Sequence, residues 1–330
     1  MDWVLIITNA LRASVGLDAV VFAIAAIGLN VHFGYTGLLN FGQSAFLGVA
    51  GYGLAIMVAT FELPTLVGVV VGLAGAALLA VLLGIPTLRL RADYLAIVTI
   101  AAAEIVRLLF RSVTFAEYTG GSDGLGRFSQ GFYSINPFPS GTYGIGRVAF
   151  DERQTWALTV GWTLVVLTSV LVFLLMRSPW GRVLKAIRED EDAVRSLGKN
   201  VYSYKLQSLM LGGVLGCLAG FIVAWGRSNV QPDFFGTETT FFIYTVLILG
   251  GAARVLGPVI GAILFWTLLS LTDNLLRQAK AAGYISDTIL TSFQIGQVRF
   301  MLVGLGLMLL MIFRPQGLFG DRRELALEAR

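Results

Sequence analysis

Apolar stretches of about 20 residues recur along the chain, the length an α-helix needs to cross the roughly 30 Å hydrocarbon layer of a bilayer. They occupy residues 17–33, 41–59, 66–88, 94–110, 156–176, 206–224, 259–276 and 298–313. A shorter apolar piece, residues 240–253, is followed by the glycine-rich run 250–258, GGAARVLGP. Irregular backbone at membrane depth is tolerated only where protein or a water-filled cavity surrounds it. Residues 240–276 therefore read as a broken hairpin with its turn near Arg254. The expected fold is all-α: a polytopic integral membrane helix bundle of about 8–9 crossings with Gly-rich broken helices, forming a single domain.

The composition agrees with a bilayer as solvent. The 330 residues are 56% hydrophobic and 13% charged, against about 25% charged in an average soluble domain. The 39 glycines suit helices that pack closely in lipid. A net charge of +4 reflects the basic bias of cytoplasmic loops rather than a nucleic-acid partner, because no basic stripe stands apart from the apolar segments. The one cysteine, Cys217, lies in an apolar run, and the one histidine, His32, has no other ligand type beside it, so no disulfide or metal site is expected. Asp2 stands where a signal peptide would carry basic residues.

Three hydrophilic stretches divide the chain. Residues 111–155 are rich in Gly, Ser, Pro and Tyr, residues 177–205 carry seven Lys/Arg and four Asp/Glu, and residues 314–330 form a charged tail. The positive-inside rule puts the second and third in the cytoplasm and makes 111–155 an external loop. Nine crossings then leave the N-terminus outside, unless the first 13 residues add another. Arg89 and Arg91 would reach the headgroups on the cytoplasmic side.

Residues 34–42, GYTGLLNFG, interrupt the first two spans. Asn40, Gln43 and Ser44 place amides and a hydroxyl at membrane depth, where polar groups either glue helices together or line a water-filled path. Glu104 and Arg107, at i,i+3 on one helix face, are a local ion pair or a polar position beside such a path.

The segment 177–205 is the one most evidently built to touch something in water. Ser178-Pro179 starts a turn, Gly198 is placed to end a helix, and nothing between Arg182 and Leu197 breaks one. Leu184, Ile187, Val194 and Leu197 recur at helical spacing, so one amphipathic helix over residues 182–197 is expected. It would rest on the membrane, link spans, or dock into a groove on a cytoplasmic partner. The chain lacks G-x-x-x-x-G-K-[ST], H-E-x-x-H and G-x-S-x-G, so it has no nucleotide-binding loop and no hydrolase motif. Its spans hold almost no carboxylates, which argues against a stand-alone ion-coupled transporter or channel and against a membrane enzyme. It reads as a pathway without its own engine.

Asp192-Ala193-Val194-x-x-x-Gly198 resembles the E-A-A-x-x-x-G loop of ABC importer permeases, with Asp for Glu, Val for Ala and no downstream Ile-Leu-Pro. Together with GLNVHFGYTGLLNFGQSAFLGVAGY (28–52), LRLRADYLAIVTIAAAEIVRLL (88–109), SPWGRVLKAIREDEDAVRSLG (178–198) and LGGAARVLGPVIGA (249–262), it is similar to the LivM-type permeases of branched-chain amino acid ABC importers. The related urea and short-amide permeases share these motifs. The resemblance implies a bacterial inner-membrane permease subunit that is not itself an enzyme and binds no cofactor. ATP and Mg would bind two cytoplasmic ATPase subunits. The other implied partners are a LivH-type permease, an extracytoplasmic substrate-binding protein and the amino-acid substrate. It further implies coupling to the ATPases through Gly181, Arg182, Leu184, Ile187, Asp192, Ala193, Leu197 and Gly198. Asn40, Gln43, Ser44, Thr99 and Glu104 are the candidates for the translocation path.

Overall fold

A computed structural model describes residues 2–88, 92–284, 291–314 and 317–320. Fourteen α-helices account for most of it: α1 (Trp3–Val15), α2 (Leu17–Leu29), α3 (Gln43–Ala55), α4 (Thr65–Thr87), α5 (Ala92–Arg111), α6 (Ala116–Thr119), α7 (Gln130–Tyr133), α8 (Glu152–Arg177), α9 (Pro179–Glu189), α10 (Glu191–Ser196), α11 (Val201–Arg227), α12 (Thr237–Gly250), α13 (Gly257–Ala281) and α14 (Ser292–Phe313). Seven helical runs among the described residues are long and apolar enough to cross a membrane. The 14-residue α12 and the more charged α5 pack against them, which gives the expected polytopic bundle. The expected headgroup contacts of Arg89 and Arg91 and most of the 314–330 tail lie outside the described residues.

Two ends of the bundle can be told apart by their contacts. At one, here the charged end, Lys185 sits over the Tyr35 ring and Arg188 donates to the Gly34 carbonyl. At the other, the far end, Arg227 at the close of α11 pairs with Asp18 at the start of α2, at 2.9 Å. α2 and α11 thus run antiparallel between the two ends. They approach so closely that a methyl on Gly212 would overlap the Gly28 carbonyl and the His32 ring. Such small-residue contacts are how helices gain packing in lipid, where the hydrophobic effect does not drive them together.

Among the described residues, 3–15 do not count as a crossing of their own, since Trp3–Gly34 forms one apolar helical run. The backbone turns extended at Gly16 (ψ 178°), and α1 packs on α13, with Asn9 Nδ2 donating to Asn274 Oδ1 at 2.7 Å. Between α5 and α8 the chain forms two short helices and a hairpin, β2 (Thr142–Ile145) with β3 (Val148–Asp151). A second short ladder joins β1 (Leu125–Gly126) to β4 (Asn229–Val230), tying this region to the end of α11. The long 111–155 stretch therefore carries short secondary structure of its own.

Both glycine-rich breaks are present. α2 ends in a five-residue π-turn, Asn30–Gly34, closed by Tyr35 N–H to the Asn30 carbonyl at 3.0 Å. The α12–α13 break passes through Gly251 (φ +108°) and Ala253 (φ +57°), and Gly250 crosses directly against Gly257. One residue joins the two breaks: Asn30 Nδ2 donates to the Arg254 carbonyl at 2.9 Å, and Asn30 Oδ1 accepts from Ala253 N–H at 2.8 Å. The amides of Leu318 and Phe319 then bond the carbonyls of Leu249 and Gly250, capping α12.

Candidate functional site

α3 starts about halfway along the neighbouring helices, because Gln43 Nε2 donates to the carbonyls of Ala25, in the middle of α2, and Gly212, in the middle of α11. The preceding loop descends to the charged end and returns. Leu38 packs there with Leu88, Leu95, Tyr202 and Leu206. The helix N-terminus is left at depth, surrounded by polar groups, an arrangement that discontinuous transporter helices use around their cargo.

Four of the five candidate path residues meet at this point. Thr99 Oγ1 accepts from Phe41 N–H at 3.0 Å, Asn40 Oδ1 accepts from Gly42 N–H at 2.9 Å, and Ser44 N–H donates to Thr240 Oγ1 at 3.0 Å. Tyr244 O–H donates to the Asn40 carbonyl at 2.9 Å. Asn40, Gln43, Ser44 and Thr99 are all 0% exposed. Their bonding distinguishes them. Gln43 is held on both sides, its Oε1 meeting His32 Nε2 at 3.2 Å, so it joins α2, α3 and α11. Asn40 Nδ2 and Ser44 Oγ are buried with no partner. A buried orphan donor is costly, so such groups call for a partner.

Glu104 stands apart from this cluster, toward the far end of α5. Arg107 pairs with it at 2.5 Å and with Asp233 at 2.7 Å, and Arg111 reaches Asp233 at 3.3 Å. The local pair expected at i,i+3 is thus part of a four-charge cluster that bridges α5 and the turn before α12.

The segment 177–205 differs from the single helix expected over 182–197. It is two helices, α9 and α10, broken at Asp190, whose extended backbone (φ −156°, ψ 104°) and carboxylate cap the Ala193 N–H at 2.9 Å. An aspartate that caps a following turn gains more than one that continues a helix. Ser178 caps α9 through Gly181 N–H, and Gly181 is buried so close to α8 that a side chain would strike the Leu175 carbonyl. Three of the four residues of the expected apolar stripe face inward, Leu184 at 0% exposed and Ile187 and Val194 at 4% each, while the fourth, Leu197, does not. Ile187, Val194 and Val201 form their own small cluster with Tyr204. Glu191 pairs with both Arg195 and Lys205, fastening α10 to α11. Solvent receives Arg182, Asp192, Ala193, Gly198 (φ +76°) and Leu197, the last 79% exposed. The expected coupling residues therefore divide into an anchoring set, Gly181, Leu184 and Ile187, and a presented set.

Arg188 makes a contact that the periodicity did not single out. Its Nη1 donates to the Gly34 carbonyl at 2.6 Å, and its stem lies against Gly37 (φ +75°). The charged hairpin is thereby bonded to the break that leads into α3. Asn30, Thr240 and Tyr244 also escaped notice, since each reads as an ordinary polar residue inside a span. No cluster of metal-ligating side chains exists among the described residues.

The profile of the family described as branched-chain amino acid transport system / permease component matches residues 12–312. The chain is 32% identical over 313 residues to the high-affinity branched-chain amino acid transport system permease protein LivM of Salmonella typhimurium, covering 90% of this chain and 67% of that one. It is 23% identical over 350 residues to the probable LivM of Methanocaldococcus jannaschii, covering 91% of each. It is 27% identical over 268 residues to the ribose import permease protein RbsC of Escherichia coli, covering 79% of this chain and 76% of that one. Through a match that spans almost every helix described above, the chain belongs to the family of permease components of branched-chain amino acid transport systems.

Proposed function

We propose that this permease carries branched-chain amino acids inward as one half of the membrane channel of an ABC importer. Its partners are a second, LivH-type permease, two cytoplasmic ATPases that bind ATP and Mg, and an extracytoplasmic binding protein. The charged end faces the cytoplasm, in keeping with the excess of Lys/Arg in 177–205. The observation that carries the reading is the bond from Arg188 to the Gly34 carbonyl. A cytoplasmic hairpin that presents a solvent-facing tip and is bonded to a helix break is suited to pass an applied force into the bundle. The α3 N-terminus and the groups around it, Asn40, Ser44 and Thr99, are the segment of path to be opened. Uncharged donors beside apolar walls suit a zwitterion with a branched apolar tail.

Reconstitution of the full complex in proteoliposomes tests this. ATP-dependent uptake of leucine, isoleucine or valine is the expected result. Uptake that proceeds without ATP, or that selects urea or short amides over these amino acids, would overturn it.

A further inference from the structure

Two unpartnered donors stand at the buried start of α3. Asn40 and Ser44 are both 0% exposed, and Asn40 Nδ2 and Ser44 Oγ have no hydrogen-bond partner among the described residues. Asn40 Oδ1 accepts from the N–H of Gly42, the residue that precedes the helix. That bond fixes the nitrogen as the unpaired end of the carboxamide and lays it against the helix N-terminus. Ser44 belongs to the first turn of the same 13-residue helix. A helix N-terminus carries partial positive charge and presents N–H groups, and both favour an anion.

Two further donors at this point are held by hydroxyls of neighbouring helices. Phe41 N–H donates to Thr99 Oγ1 of α5, and Ser44 N–H donates to Thr240 Oγ1 of α12, each at 3.0 Å. None of the residues bonded to one another here is charged. The two helices that supply the hydroxyls are also joined at the far end, where Arg107 of α5 meets Asp233 of the turn before α12 at 2.7 Å. Phe235 of that turn packs on α3 against Gly48, Gly51 and Tyr52, between the far end and Ser44. A displacement of α5 and α12 from α3 would therefore uncover the donors toward the far end and withdraw both hydroxyl acceptors together.

We infer that the start of α3 recognises the α-carboxylate of the substrate once α5 and α12 have moved away from it. This rests on the reading of the chain as an amino-acid permease. Asn40 Nδ2 and Ser44 Oγ donate to the carboxylate, and Phe41 N–H and Ser44 N–H exchange their hydroxyl acceptors for its oxygens. Neutral donors and the helix dipole hold the anion without a full positive charge, which would repel the α-ammonium beside it. A substrate without a carboxylate would leave these buried donors unpaired, and such a site rejects it for that reason.

Leucine moved per ATP hydrolysed by the complete complex in proteoliposomes, at saturating leucine-loaded binding protein, tests the assignment. Ser44→Ala removes one donor and should lower that ratio roughly tenfold, the weight of one hydrogen bond to a charged group. Asn40→Asp keeps the oxygen that accepts from Gly42 N–H and sets a second oxygen in place of the unpaired nitrogen. It loses a donor and repels the carboxylate, so its ratio should fall by more than about tenfold. Neither lost atom has a partner, so both variants should assemble and melt as the parent does. A parental ratio in either variant, beside a parent that moves leucine, would overturn the carboxylate site and leave the amino-acid reading intact. Uptake lost only in proportion to lost assembly would mark a packing role and overturn the site as well. A parent that moves no leucine would overturn the amino-acid reading, and this inference with it.

Discussion

Arg188→Met is the sharpest test of force transfer through the charged hairpin. Methionine retains an apolar stem to lie against Gly37 but cannot donate to the Gly34 carbonyl 2.6 Å away. A hydrogen bond from a charged donor contributes about 1.5–3 kcal/mol, and the half-buried setting of Arg188 places this one near the lower figure. Loss of about 1.5 kcal/mol in the link between hairpin and break corresponds to roughly a tenfold shift in how often one follows the other. The assay is substrate moved per ATP hydrolysed, in proteoliposomes that hold the assembled complex. Assembly should persist, because Leu184, Ile187 and the Glu191–Lys205 pair still seat the hairpin. ATP hydrolysis should continue while the transport ratio falls roughly tenfold. Arg188→Lys, which keeps a charged donor on a shorter reach, should recover part of it. A parental transport ratio in Arg188→Met would refute the reasoning, since it would show that the bond to Gly34 carries none of the coupling.

Further outcomes follow from the same geometry. Leu197→Asp changes an exposed tip residue and should abolish copurification with the ATPases without altering the thermal stability of the permease. Ile187→Asp should instead lower that stability by several kcal/mol, because it buries a carboxylate in an apolar cluster. Gln43→Leu removes the side-chain bonds that tie α3 to the Ala25 and Gly212 carbonyls and should cost about 1–3 kcal/mol in detergent unfolding. Gly212→Val forces α2 and α11 apart at the Gly28 crossing and should cost about 1–3 kcal/mol or prevent stable insertion, read from purified yield.

The spans were legible because the bilayer fixes their length. The apolar stretch 66–88 and the helix Thr65–Thr87 differ by one residue at each end. Pro179 and Gly198 likewise marked where the charged hairpin begins and turns. Asp190 was missed because an acidic run, Glu189 to Asp192, reads equally well as a solvated helix face, and only the cap to Ala193 reveals the break. The direction of the 184–187–194 stripe was also hidden: periodicity shows that a face is apolar but not what it meets. Gln43, Asn40 and Ser44 looked alike in sequence. They differ partly through groups far along the chain, Gly212 for the first and Thr240 and Tyr244 for the region of the others. The ladder of β1 with β4 depends on residues about 100 apart and left no local pattern.

Asn30 has a consequence for how many joints the bundle possesses. Its carboxamide offers one donor and one acceptor to the turn beyond α12, the same pair of bonds by which a strand residue grips its neighbour. The two discontinuities are separated by more than 200 residues, yet this stitch makes them one knuckle. Gly34 is linked to Ala253 and Arg254 through the five residues Asn30–Gly34 and one hydrogen bond to each, and the amides of Leu318 and Phe319 extend the same unit. Among the described residues the two breaks are thus one bonded unit, so a displacement of either is transmitted to the other unless the Asn30 bonds open.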